Sequence, residues 1–322
     1  MGNLPIERVE PARPFIKTGI DYCGPISIKE GRGRGRGKRT TKGYICLFVC
    51  LCTKAVHLEL VTDLTAEAFL NALRRFTSRR GFAKQLFSDN ATNFKASDKE
   101  LKELYTVFKN NEFHNKISST LANNNISWSF IPPRSPNFGG LWEAGIKSVK
   151  YHIKRVIGET ILTYEEMYTL LTRIEACLNS RPLFPISNDP NDLNALTPSH
   201  LLIGEVLTAP LEHDLTEIQV NRLSRWQLVE QLRQHFWKRW QREYLSQLQQ
   251  RTKWKSATKT VQPGNLVIVV EENLPPLCWT LGRVQETYPG KDGVVRVVDI
   301  KTNKGTYKRA VSKVCVLPLS DN

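Results

Sequence analysis

The chain has 322 residues, too many for one ordinary core, and its 40% hydrophobic and 9% aromatic content can bury two. Lys and Arg number 46 against 31 Asp and Glu, and the surplus of +15 argues against a cationic partner and for a polyanion, nucleic acid before an anionic membrane. No apolar run approaches the roughly 18 residues of a membrane span and no basic segment leads into an apolar one at the N-terminus, so the sequence reads as soluble.

No element precedes Pro14, so residues 1–13 read as an extension and the chain as a piece cut from a longer polypeptide. Phe15 to Tyr22 alternates as a strand, carries Asp21 near its end and meets a turn at Gly24-Pro25. Ile26 to Ile28 extends it towards a Gly/Arg repeat, Lys29 to Arg39, that cannot pack a core. The repeat reads as a basic hairpin tip whose Arg32, Arg34 and Arg36 grip phosphate, in preference to a solvated linker.

Gly43 to Cys52 is a nearly continuous apolar run, as expected of a strand covered on both faces, and Ala55 to Val61 pairs with it. Thr65 caps a helix with the stripe Phe69, Leu73 and Phe76, and Gly81 stops it. Gln85 to Ser88 is a short strand delivering Asp89. A second helix is marked by Leu101, Leu104, Tyr105 and Phe108, residues 110–125 read as loop, and Ile126 to Ile131 alternates as a fifth strand.

A Gly/Pro-rich loop, Ser135 to Leu141, then leads into a helix with Glu143 expected in its first turn. Ile146, Val149, Ile153, Val156 and Ile157 form the core stripe, while Glu143, Lys147, Lys150 and Lys154 share another face. Like-signed lysines three and four residues apart repel unless an anion lies across them, and DNA is such an anion. Thr163 to Glu166 is a capping box opening a helix with Met167, Leu170, Leu171, Ile174 and Leu178 inward.

Residues 206–221 read as a linker. From 222 to 262 there are ten Lys/Arg and two Asp/Glu, on a long helical pattern whose Arg239 and Arg242 are candidate DNA contacts. Trp226, Trp237, Trp240 and Trp254 there are of a kind that packs or stacks on bases. Residues 263–318 give five short strands with Gly-rich turns, a small SH3-like barrel, and 319–322 are a tail.

The seven cysteines form no Cys-x-x-Cys pair and have no His at zinc-finger spacing. Cys46, Cys50 and Cys52 share one parity and are expected on one face of a strand, as core residues of a reduced, intracellular protein.

Asp21, Asp89 and Glu143, scattered in sequence but each near a strand end or helix start, are the kind of set a two-metal phosphoryl-transfer site needs. At these residues the sequence resembles a known family. Thr18-Gly19-Ile20-Asp21-Tyr22-Cys23-Gly24-Pro25, Phe87-Ser88-Asp89-Asn90-Ala91-Thr92-Asn93-Phe94 and Ser135-Pro136-Asn137-Phe138-Gly139-Gly140-Leu141-Trp142-Glu143 are similar to motifs of retroviral and retrotransposon integrases, those of BEL/Pao-type LTR retrotransposons in particular. Leu178-Asn179-Ser180-Arg181-Pro182-Leu183 and Leu196-Thr197-Pro198 also match.

The resemblance implies an α/β, RNase H-like mixed five-stranded sheet with flanking helices over residues 14–205, followed by the long helix and a DNA-binding barrel. It implies Asp21, Asp89 and Glu143 as ligands of two Mg²⁺ ions, with Mn²⁺ as the alternative, and Lys147 and Lys150 as contacts to DNA ends. Lys154, Asn90 and Asn137 join them as candidate DNA contacts. The expected partners are double-stranded DNA and further copies of the chain, with no membrane and no small-molecule cofactor, and the expected location is the nucleus after passage through the cytoplasm. The sequence departs from the family in a longer spacer, residues 90–142, in Ala91 where many relatives have Gly, and in lacking a His-His-Cys-Cys zinc domain. Two rival readings are an RNase H-type nuclease, with Glu67 as its extra carboxylate, and a DNA-binding protein derived from an integrase but no longer catalytic.

Overall fold

The structure is a computed structural model that describes residues 10–31, 39–88, 117, 120–122, 126–130, 136–249 and 261–318, the side chains of 130 and 136–146 excepted. The chain divides into two compact units, Met1–Leu178 with Ile218–Arg233, and Asn179–Glu217 with Gln234–Asn322.

The first unit is built on a mixed sheet of β1 (Lys17–Lys29), β2 (Thr40–Cys50), β3 (Val56–Val61), β4 (Gln85–Ser88) and β5 (Ser127–Phe130), in the order β3-β2-β1-β4-β5. The first three strands form an antiparallel meander, and β4 and β5 add in parallel. This is the α/β, RNase H-like arrangement expected from the sequence. The apolar run of β2 is buried from Tyr44 to Cys50, as a strand covered on both faces must be.

Helix α1 (Ala66–Arg80) packs on β3 and buries Phe69, Leu73 and Phe76. Thr65 Oγ1 accepts the Ala68 N–H at 3.2 Å, and Gly81, at φ 80°, donates its N–H to Thr77 O, so the predicted start and stop both hold. The rings of Phe48 and Phe76 stack at 4.3 Å in the core between sheet and helix. Helix α2 (Pro136–Ile157) packs on β1 and buries Val149, Ile153 and Ile157.

A two-residue strand missing from the sequence reading, β6 (Leu162–Thr163), pairs in parallel with Ile28 and Lys29 of β1. It leads into α3 (Tyr164–Asn179), whose capping box is closed by Thr163 N–H to Glu166 Oε2 at 2.8 Å and Glu166 N–H to Thr163 Oγ1 at 3.3 Å. Met167, Leu170, Leu171, Ile174 and Leu178 of α3 are all buried, as their spacing predicts.

Three local expectations need correction. The turn expected at Gly24-Pro25 is only a register shift between Cys23 and Ile26, and β1 runs on through Ile26 to Ile28, the expected extension, as far as Lys29. Cys52 lies beyond β2 in a turn and is only partly buried, unlike Cys46 and Cys50. Within 110–125 the described residues Ile117 and Thr120 to Ala122 are helical, and Ile117 and Leu121 are buried. The helix expected around Leu101 to Phe108 lies outside the described residues.

In the second unit β7 (Phe184–Pro185) and β8 (Ala195–Leu196) form a small ribbon, and α4 (Pro198–Ile203) starts at a Thr197 cap. The helix α5 (Arg225–Leu248) passes from the first unit into the second at Gln234. Its Trp237 and Trp240 are buried and pack with Tyr244 and Trp279, with Trp237 and Trp279 edge-on at 4.9 Å. These tryptophans therefore pack; Trp226 is exposed, and Trp254 lies outside the described residues.

Five C-terminal strands lie within 263–318, the number expected there: β9 (Leu266–Val269), β10 (Leu281–Pro289), β11 (Val295–Thr302), β12 (Gly305–Ala310) and β13 (Val314–Val316). They form one antiparallel sheet in the order β12-β11-β10-β9-β13, consistent with an SH3-like barrel. Val267, Val269, Val284, Val298, Ile300 and Val314 fill one side of it. Buried Arg283 ties the sheet to the 179–217 segment by donating to the carbonyls of Asp192 at 2.8 Å and Ser187 at 2.5 Å, and it also donates to Gly264 O at 2.9 Å in the turn before β9.

Candidate functional site

Asp21 sits in the middle of β1 between the buried side chains of Ile20 and Tyr22. Its own carboxylate is about one-fifth exposed, and Oδ1 accepts the Tyr22 N–H at 2.7 Å. The parallel pairing of β1 with β4 runs from Lys17 opposite Gln85 to Ile20 opposite Ser88. Each member of that last pair precedes by one residue a carboxylate that the sequence singles out. Asp89 itself lies outside the described residues, as do Asn90 and the Arg32, Arg34 and Arg36 of the hairpin tip. The strands flanking that tip do pair, Lys29 opposite Thr40, so β1 and β2 form the expected hairpin.

Glu143 is not in the first turn of its helix. Helix α2 begins at Pro136, so the stretch read as a Gly/Pro loop is helical and Glu143 lies about two turns in. Proline suits the first helical position because its missing N–H has no intrahelical partner there. The side chains of Glu143 and Asn137 are outside the described set.

Further along α2, Lys150 reaches β1. Its Nζ lies 2.5 Å from Asp21 Oδ2, with side-chain exposures of 22% for the lysine and 20% for the aspartate. Lys147 and Lys154 are exposed on the same helix. The helix thus carries a basic row past the carboxylate, and one member of that row neutralises it.

The neighbouring thiol of Cys23 is no rival nucleophile. Burial pushes it up to about 11, against a smaller opposing pull from Lys150, so it is protonated at neutral pH. Glu67, the carboxylate of the nuclease reading, is exposed in the first turn of α1. Among the described residues no three His, Cys, Asp or Glu side chains gather as metal ligands, and of the expected trio only Asp21 has a described side chain. A partly exposed carboxylate that already attracts a cation is a fitting oxygen donor for a hard divalent ion. On the second unit's part of α5, Arg239 and Arg242 are both exposed.

One charged cluster in the first unit was not anticipated. His57, Glu59 and Glu175 are buried together, with Arg75, Arg79 and Arg80 closing over them. Its members come from β3, α1 and α3, and no local sequence signal joins them.

The family described as "Family of unknown function (DUF5641)" matches residues 224–317, which hold all of α5 and the five C-terminal strands. No curated protein matches the chain. Among solved structures, the chain is similar to one in a simian T-cell lymphotropic virus intasome in complex with the PP2A regulatory subunit B56 gamma. Identity there is 10%, coverage 99% of this chain and 85% of that one, and the TM-score 0.36. It is also similar to the HTLV-2 integrase catalytic core domain in complex with magnesium, at 12% identity, covering 52% of this chain and 88% of that one, with a TM-score of 0.31. Similarity at these scores decides nothing about the chemistry of this chain.

Proposed function

We propose that the chain is a DNA integrase of the retroelement kind, with motifs that resemble those of BEL/Pao-type retrotransposons. It trims the 3′ end of element DNA and joins the freed 3′-hydroxyl to a target phosphodiester. The observation that carries this reading is the parallel register of β1 and β4, in which Ile20 stands opposite Ser88 and the residues that follow them are Asp21 and Asp89. The packing of α2 against β1 supports it, since α2 holds Glu143 and brings Lys150 to Asp21.

Asp21, Asp89 and Glu143 hold two Mg²⁺ or Mn²⁺ ions in this reading. Bound there, such ions supply Lewis acidity at the phosphoryl oxygens and make water a stronger nucleophile at neutral pH. The chain's own residues position the DNA. Lys147, Lys150 and Lys154 on α2 face the phosphates near the cut, and Arg32, Arg34 and Arg36 of the hairpin tip, with Asn90 and Asn137, hold the strand about it. Arg239 and Arg242 of α5, together with the barrel, take up further phosphate. Joining two ends to one target calls for more than one copy of the chain, and the substrate places the reaction in the nucleus.

The test is direct. Duplexes copying the element's ends, labelled at the 5′ end, are incubated with the protein and Mg²⁺ or Mn²⁺ and resolved on a denaturing gel. Shortened products, together with longer joined products, are expected. Cleavage of RNA in RNA–DNA hybrids with no joined DNA would select the nuclease reading, and products unchanged in Asp89→Asn would remove the assignment of that carboxylate.

A further inference from the structure

We propose that Lys150 is the cation that holds Asp21 until a divalent ion displaces it, so that loading the carboxylate site releases this ammonium to a DNA phosphate. The inference rests on the metal-site reading of Asp21 given above. Nζ of Lys150 is 2.5 Å from Oδ2 of Asp21, and Oδ1 already accepts the Tyr22 N–H, so a divalent ion held by this carboxylate would compete with the ammonium. Two cations cannot share that position, because like charges this close repel and a single carboxylate neutralises only one of them.

The lysine is built to move. Its charge sits on a flexible four-carbon stem, and about one-fifth of its side chain is open to solvent. It projects from α2, the helix on which Lys147 and Lys154 are exposed, so a displaced ammonium joins an existing basic row. That row repels itself unless an anion lies across it. Metal loading therefore completes the phosphate grip, and by thermodynamic reciprocity a phosphate that takes Lys150 favours metal at Asp21. Lys150 is in this sense a positioning residue with two alternating partners.

Two measurements on the full chain test this. In the first, Mn²⁺ binding without DNA is followed by calorimetry for the wild type, Lys150→Gln, Lys147→Gln and Asp21→Asn. Lys150→Gln is expected to bind Mn²⁺ about five-fold more tightly, the scale of a partly exposed ion pair, with Lys147→Gln close to wild type. Asp21→Asn is expected to bind it much more weakly. No tightening in Lys150→Gln, or equal tightening in Lys147→Gln, overturns the exchange while leaving the metal site standing. Undiminished Mn²⁺ binding by Asp21→Asn overturns the metal site and the exchange with it.

In the second, fluorescence anisotropy of a labelled duplex gives the slope of log affinity against log salt. With Mn²⁺ present, Lys150→Gln should lower that slope by about 0.9, one phosphate contact. Without metal the two slopes should coincide, because Asp21 already neutralises the lysine. A loss of equal size in both conditions, or in neither, contradicts the proposal.

Discussion

Nδ1 of His57 lies 3.3 Å from Oε1 of Glu175, although 118 residues separate them along the chain. The other ring nitrogen, Nε2, lies 2.9 Å from Glu59 Oε1, so both edges of a buried imidazole face carboxylates. Arg75 Nε approaches Glu59 Oε2 at 2.6 Å, Arg79 also contacts Glu59, and Arg80 contacts Glu175. The Leu58 N–H donates to Glu175 Oε2 at 2.8 Å. The cluster joins β3, α1 and α3, so its charge state bears on how firmly the sheet holds its helices.

Burial alone favours neutral His57, but its hydrogen bonds to Glu175 and Glu59 outweigh this and raise its pKa from 6.5. Burial likewise opposes ionised Glu59 and Glu175, and the His57 hydrogen bonds, with the arginine charges, carry both below 4.5. The histidine's contribution to stability is thus complete below pH 6.5 and fades as pH rises through its raised folded-state pKa. The carboxylates contribute above 4.5 and fade as pH falls through their lowered values. Urea unfolding of the first unit should show greatest stability between these limits. His57→Gln should cost about 2–4 kcal/mol near pH 6 and lose most of the alkaline fall. A wild-type profile flat from about pH 6 to 9 would show that the imidazole is not charged in this setting.

Gly282 of the barrel pairs with Val267 on one side and Thr302 on the other. A Cβ there would lie 2.5 Å from Ile300 Cγ2 and 2.9 Å from the Lys301 carbonyl oxygen, and the second of these cannot swing away. Gly282→Ala should destabilise the second unit by about 1–3 kcal/mol through overpacking. Hydrogen exchange should quicken in β9, β10 and β11 with β1 to β3 unchanged. Unaltered exchange in the barrel strands would mean that the sheet relaxes more cheaply than this geometry allows.

The exposed lysines of α2 give a prediction with a sign in salt. Lys147→Ala and Lys154→Ala should each weaken duplex binding whatever the sequence, and lower the salt slope by about 0.9. For Lys147 the effect should be the same with and without metal, in contrast to Lys150, whose charge is engaged by Asp21. A salt slope that stays at the wild-type value in both variants would remove α2 from the DNA path.

Strand periodicity made the sheet legible, because the central strands are buried on both faces and their apolar runs are long. The barrel was legible for a different reason, its turns being marked by glycine at Gly264, Gly290, Gly293 and Gly305. Glu143 was misplaced in its helix because Gly139 and Gly140 suggest a break. Each costs a helix only about 1 kcal/mol, which packing against β1 can override. Strand β6 is too short to carry a period. The His57 cluster and the Lys150–Asp21 pair are tertiary, and a sequence read window by window has no way to join residues so far apart.

The last prediction separates chemistry from fold at the carboxylate. Asp21→Asn keeps the shape of the side chain and an oxygen that can accept the Tyr22 N–H, now 2.7 Å from Asp21 Oδ1, while removing the charge that faces Lys150. Since that ion pair is partly exposed, its loss should change stability by no more than about 1 kcal/mol. Metal-dependent cutting and joining should fall at least about a hundred-fold, since even the outer partners of a metal site carry that much. Duplex binding without metal should stay the same or tighten slightly, because Lys150 is then no longer neutralised. A variant that unfolds early would make Asp21 a structural charge, and one that keeps full activity would show that the reaction does not pass through this carboxylate.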